Sequence, residues 1–119
     1  FDGGKRQAQY RAGQAAYEQQ TYAYRNTVIQ AFTEARNAII NYRQTAQAAQ
    51  SWKQLEQSSK TALDLAQLQY INGVVAYLNV LDAQRSYFDA QIGLSNATRD
   101  RHLSLISLYK ALGGGWRTD

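Results

Sequence analysis

The sequence predicts an all-α protein, a long antiparallel helical hairpin of the coiled-coil kind. Three observations carry that expectation. Proline is absent from all 119 residues, so nothing forces a break inside a helix. Apolar residues recur at alternating steps of three and four along most of the chain, the spacing of helices packed lengthwise on one another. Within that pattern stands Asn72-Gly73, a pair that readily adopts the left-handed geometry ending a helix.

Phe1-Asp2-Gly3-Gly4 reads as a loop leading into the first helix, with Asp2 or a glycine near its N-cap. Tyr10, Gln14, Tyr17, Thr21, Tyr24 and Val28 then alternate by four and three, and Phe32, Ala35, Ile39, Tyr42, Ala46 and Ala49 continue the seam. Near Trp52 and Leu55 the step becomes three and three, an irregularity expected to shift the seam. Leu63, Ala66 and Tyr70 resume it. Val80, Ala83, Tyr87, Ala90, Leu94 and Ala97 form the seam of a second helix, ended by Gly113-Gly114-Gly115. The predicted organisation is one unit over 1–119: a helix about 4–71, a tip at 72–74, a helix about 75–112 and a tail at 113–119. Tip-proximal pairing should bring Leu63 and Ala66 near Val80, Ala83 and Tyr87. The arms do not match, at roughly 100 Å and 57 Å for 1.5 Å per residue. The outer tyrosine stripe Tyr10, Tyr17, Tyr24 therefore lacks a partner in this chain and is expected to drive self-association or to pack on another segment.

Composition narrows the function. Cysteine is absent, which excludes disulfides, thiol catalysis and thiolate metal sites. Methionine is absent too, so the chain reads as a processed product or an excised piece. No apolar run reaches the ~20 residues that span a bilayer as a helix. Net charge is +4, with eight basic against four acidic residues in 1–60 and a balance beyond. Such a mild bias argues only weakly for nucleic acid, and tyrosines seven apart on a helix form an interface more often than a base-stacking platform. His102 is the sole histidine, with Leu105 and Ile106 at helical spacing, and reads as packed or interfacial. Phosphate loops, zinc spacings and nucleophile motifs are missing. Asp64 and Asp89 read as solvated carboxylates. The expectation is no enzyme, no cofactor, no metal and no nucleic-acid partner.

Two polar features stay open on the residues alone. The first helix carries Asn26, Gln30, Thr33, Asn37, Asn41, Gln44, Gln47 and Ser51 on one face, either plain solvent exposure or the wall of a wet duct. On the second helix, Val75, Leu78, Asp82, Arg85, Asp89, Gly93 and Asn96 share a face turned from the seam. That face is either solvated, with a weak Asp82–Arg85 pair of about 0.2–0.5 kcal/mol, or a set of stacked rings in an oligomeric pore.

"YINGVVAYLNVLDAQRSYFDAQ", Tyr70 to Gln91, resembles the periplasmic tip of the TolC-type outer membrane factors, the exit ducts of tripartite efflux pumps and type I secretion. The shared pattern is a tyrosine, a glycine three on, then Tyr-Leu-x-x-Leu-Asp-Ala-Gln-Arg. "LYKALGGGW", Leu108 to Trp116, is similar to the C-terminal signature of the lipoprotein branch serving resistance-nodulation-division pumps. "FDGGKR" resembles the segment that leaves the last barrel strand. The resemblance implies a homotrimer with an outer-membrane β-barrel and a periplasmic α-barrel. This chain would be a periplasmic hairpin of it, partnered by an adaptor protein and an inner-membrane pump in a Gram-negative bacterium. It implies a pore aperture built by Leu78, Asp82 and Arg85, and an adaptor-contacting tip at Tyr70, Asn72, Gly73 and Val74. Asn79 and Val75 depart from the acidic and basic residues that some members carry there. The alternative reading is a coiled-coil interaction module without channel function.

Overall fold

A computed structural model describes residues 2–113. Two helices fill them: α1, Asp2–Ile71, and α2, Tyr77–Ala111. Among the described residues there is no strand. The predicted tail beyond Gly113, the end of the Leu108–Trp116 signature and Phe1 lie outside them. α1 includes Gly3 and Gly4, expected as loop. Adding residues to an existing helix needs no new nucleus, so a long helix carries its pattern into poor formers at its end. α2 starts two residues after the expected Val75 because Val74 to Ala76 bridge the turn. Ala76 itself is extended, at φ −73° and ψ 155°.

The described residues fall into two units, divided between Asn37 and Ala38. In the first, α1 exposes its aromatic residues: Tyr10, Tyr17, Tyr22, Tyr24 and Phe32 all stand in solvent, and Val28 and Ala35 are half-buried.

The second unit is the hairpin. Contacts step outward from the tip in antiparallel order. The rings of Tyr70 and Tyr77 lie 5.2 Å apart. Tyr87 donates its hydroxyl to Glu56 Oε1 at 3.2 Å. The Trp52 indole rests where a Cβ on Gly93 would stand. Thr45 Oγ1 and Ser104 Oγ meet at 2.5 Å. On α2, Val80, Ala83, Tyr87, Ala90, Leu94, Ala97, Arg101, Ser104, Leu108 and Ala111 are buried or half-buried in an unbroken alternation of three and four, with Gly93 and Thr98 half-buried beside it. Every residue predicted for the α2 seam is in it.

The α1 seam differs from expectation. It runs Ala38, Tyr42, Thr45, Ala49, Trp52, Glu56, Ser59, Leu63, Ala66, Tyr70, again without interruption. Ile39 and Leu55 fall off this alternation and are exposed, whereas Trp52 keeps to it and reaches Gly93, so the irregularity expected at Trp52–Leu55 does not occur. Hydrophobicity pointed to Leu55, but a coiled coil is held to its period, and the period puts Glu56 in the interface. Glu56 is accommodated because its carboxylate accepts the Tyr87 hydroxyl. Gly93, expected on the outward face, is half-buried under Trp52 instead. Of the residues expected to pair near the tip, Ala66 and Val80 are buried and Leu63, Ala83 and Tyr87 are half-buried.

The Trp52–Gly93 contact yields a sign test. A methyl at Gly93 gains about 1 kcal/mol of helix propensity. It must also displace the indole, and overpacking of this kind costs about 1–3 kcal/mol. Gly93→Ala should therefore lower stability in urea unfolding. With Trp52→Ala already in place, the same change should raise stability by up to about 1 kcal/mol. Equal effects in both backgrounds would mean that the ring does not rest on Gly93.

Candidate functional site at the hairpin tip

The turn is built from its glycine outward. Gly73 sits at φ 74°, the left-handed region, where a Cβ would be strained. The Val74 N–H donates to the Gln69 carbonyl at 2.8 Å and the Gly73 N–H to the Tyr70 carbonyl at 3.0 Å. That crossed pair is the Schellman closure, which satisfies carbonyls left free at the end of α1. The Asn72 N–H still reaches the Leu68 carbonyl at 3.1 Å. α2 begins with less support. Ala76 offers no side-chain cap and the first turn has no acidic residue. The Asn79 N–H closes on the Ala76 carbonyl at 3.0 Å.

Around this turn the surface is apolar and open. Ile71 is 78% exposed, Val74 70% and Leu78 64%. Tyr70 and Tyr77 cover each other in part. The predicted tip residues Tyr70, Asn72, Gly73 and Val74 all belong to the Schellman closure or its flanks. The predicted aperture residues lie on the first turns of α2. Leu78 and Arg85 are seven apart and share an angular position, with Asp82 beside them, and all three are exposed. The Asp82–Arg85 pair allowed by the spacing is not formed. Among the described residues the ion pair observed is Arg99–Asp100, at 3.3 Å.

With the seam fixed, the two sides of the hairpin can be told apart. One side carries Lys53 and Lys60 from α1 and Tyr77 and Gln84 from α2, with the apolar residues Leu81, Phe88 and Tyr109 at sevenfold spacing beyond. The other side carries Asn41 and Ala48 from α1 and Ser86, Gly93, Asp100 and Ser107 from α2, with Asp82, Asp89 and Asn96 along its outer edge. The lysines of α1 thus stand on one side and the aspartates of α2 on the other, although Asp64 lies among the lysines and Leu103 lines the aspartate side. Grooves open on both sides. On the basic side a groove at the tip is lined by Gln67, Tyr70, Ile71, Tyr77, Val80 and Gln84. On the acidic side two grooves share Thr45 and Asp100. Ser104, 3% exposed, is the buried polar residue of the seam, and its hydroxyl is bonded to Thr45 and to the Arg101 carbonyl at 2.9 Å.

The Glu56–Tyr87, Thr45–Ser104 and Trp52–Gly93 contacts were not foreseen. Their signal lay in α2. Extending its clean period and folding it back across the Asn-Gly turn puts each of these residues in the interface.

A family model described as outer membrane efflux protein matches residues 1–114. The chain is 35% identical over 116 residues to outer membrane protein OprJ of Pseudomonas aeruginosa, covering 98% of this chain and 24% of that protein. It is 33% identical over 120 residues to the pyoverdine export outer membrane protein OpmQ of Pseudomonas putida, covering 100% and 25%. It is 32% identical over 117 residues to the cation efflux system protein CusC of Escherichia coli, covering 98% and 25%. The chain spans about a quarter of the length of these relatives. No solved structure matches it significantly.

The turn geometry predicts a graded response at Gly73. Gly73→Ala should destabilise the hairpin by about 1–2 kcal/mol, and Gly73→Asn by less, because asparagine visits the left-handed region more readily. Urea unfolding of the three proteins checks the order. An alanine variant as stable as the parent would contradict the left-handed closure.

Proposed function

The chain belongs to the outer membrane efflux protein family, and from that premise we propose that it is a periplasmic hairpin of an efflux channel gated at its helical tip. The channel conducts passively what an inner-membrane pump delivers through a periplasmic adaptor, and no bond is made or broken. Its relatives' names range from pyoverdine export to cation efflux, so the proposal is a duct and not a particular cargo. The observation that carries the reading is the tip. A tightly closed turn holds Ile71, Val74 and Leu78 exposed, beside Asp82 and Arg85 that have no ion-pair partner among the described residues. Apolar residues and free charges presented together on a stiff scaffold fit contact with other chains better than contact with water.

In this proposal the channel is a homotrimer whose copies bring Leu78, Asp82 and Arg85 around one axis, while Tyr70, Asn72, Gly73 and Val74 meet the adaptor. Like charges at a narrow mouth repel, so contacts from Arg85 to a neighbouring chain hold it shut. The same carboxylates concentrate cations, because a constricted, charged opening focuses the field. The acidic side of the hairpin lines the duct.

Single-channel recording of the trimer in planar bilayers tests the aperture. Asp82→Ala should weaken cation preference. Arg85→Ala should raise leak conductance, and Leu78→Ala should widen the opening through lost volume. Three variants that conduct and select like the parent would reduce Asp82 to a solvated surface charge, and the aperture assignment would be wrong.

The exposed tyrosines generate a separate expectation for the 119-residue chain. Each aromatic buried between copies contributes roughly 1.5–3 kcal/mol. Sedimentation should show concentration-dependent association that weakens when Tyr10, Tyr17 and Tyr24 are changed together to serine. A monomer at high concentration, still helical over residues 4–30, would count against it.

A further inference from the structure

We infer that the groove between Trp52 and Asp100, on the acidic side of the hairpin, is a weak binding station for amphipathic organic cations. The groove has a volume of about 190 Å³ and is lined by Thr45, Ala48, Trp52, Gly93, Asn96, Ala97 and Asp100. It continues into a second of about 370 Å³ through the shared Thr45 and Asp100. Neither lining includes a lysine, arginine or histidine.

The chemistry is complementary to a cation with an apolar body. Trp52 supplies an indole that is 37% exposed, and a cation near such a ring is attracted by its quadrupole. Gly93 is what lets the ring lie there, since any larger residue would meet it. Asp100 supplies the carboxylate. Its present partner is Arg99, the residue before it, at 3.3 Å, with both side chains more than half exposed. Arg99 is outside the lining of both grooves, and an ion pair so open to water is weak and readily shared. Gly93 and Asp100 are seven residues apart on α2, about 10 Å along the axis, so a bound molecule reaches both ends only if its apolar body and its charge are separated. Asn96 lies one turn before Asp100 and offers an amide oxygen on the way. The Thr45–Ser104 hydroxyl pair fills the seam beside the groove, so a ligand lies along the hairpin and does not wedge its helices apart.

The first groove falls short of the ~300 Å³ at which drug-sized ligands are enclosed, so dissociation constants should be on the order of 1–10 mM. That suits a surface that passes molecules along. The binding itself stands on the groove, and only its role in transport rests on the duct proposed above.

The test is a titration of the ¹⁵N-labelled 119-residue chain with benzyltriethylammonium, followed by amide and indole chemical shifts. Benzenesulfonate and benzyl alcohol serve as anionic and neutral counterparts. Saturable shifts should centre on the Trp52 indole and on Gly93, Asn96 and Asp100, at least about tenfold tighter for the cation than for the anion. Asp100→Asn should weaken the cation about threefold or more without changing benzyl alcohol. Trp52→Leu should weaken both, and because Asp100 is exposed its variant remains informative even if the tryptophan variant unfolds. Equal binding of cation and anion, an unchanged affinity in Asp100→Asn, or shifts centred on the tyrosines of residues 10–24 would overturn the inference. Failure of the duct reading in bilayer recordings would leave this binding intact and remove only its role.

Discussion

The hairpin depends on a seam of small residues. Two antiparallel helices keep an unbroken alternation of three and four across the whole length of α2, and the buried positions in it are Ala49, Ala66, Val80, Ala90, Ala97 and Ser104. Holding a strict seven-residue period keeps the same face toward the partner over many turns. Four polar members pair across the seam, Ser104 with Thr45 and Glu56 with Tyr87. Replacing a buried hydroxyl bond by an unpaired group would cost about 1–3 kcal/mol, so these pairs tie particular residues to one another as well as filling space.

Small seam residues have a consequence for the rest of the surface. Full burial of a valine-sized or larger side chain contributes about 1.5–3 kcal/mol. Val80 is the largest side chain among the buried described residues, and the alanines contribute less. Ordering the backbone costs about 1–2 kcal/mol per residue. Most of the large apolar side chains instead stand outside the seam, as Leu81, Phe88, Ile92, Leu105, Ile106 and Tyr109 do on α2. A hairpin built this way gains much of its stability from what packs against its outer faces. The same argument holds for residues 2–37, whose tyrosines are exposed. The proportions are those of an element in a larger wall, which is how we read its family membership.

What the sequence made legible follows from which signal each position carried. The α2 seam was readable throughout, because its apolar residues and its period coincide at Val80, Ala83, Tyr87, Ala90, Leu94 and Ala97. The tip was readable because Gly73 must take a conformation that other residues rarely adopt. On α1 hydrophobicity and period part company. Ile39 and Leu55 attract attention but lie beside the interface, while Thr45, Glu56 and Ser59 occupy it. A reading led by hydrophobicity therefore placed a shift at Trp52 where none exists. Gly93 was grouped with Asp82 by angle alone, and only the Trp52 ring reveals its use. At the candidate site, the exposure of Leu78, Asp82 and Arg85 was legible from the seam they avoid. The separation of the α1 lysines from the α2 aspartates was not, because it requires the register of α1 as well.

The tip also constrains how such a hairpin could move. The link between helices is short, and the end of α1 is closed by three backbone bonds of 2.8 to 3.1 Å around a left-handed glycine. Unwinding that turn would break those bonds and leave carbonyls free, each a loss of about 0.5–1.5 kcal/mol. The start of α2 is less anchored, lacking a side-chain cap. Even so, Tyr77 is held against Tyr70, and Val80 is buried one turn later. Motion that keeps both features moves the two helix ends together. An opening that displaces Leu78 and Asp82 is therefore cheaper as a rigid swing of the paired helices than as melting at the tip. In the gate proposed above, the flexible part would lie in the lateral contacts, where Arg85 and the exposed apolar residues of α2 would meet neighbouring chains.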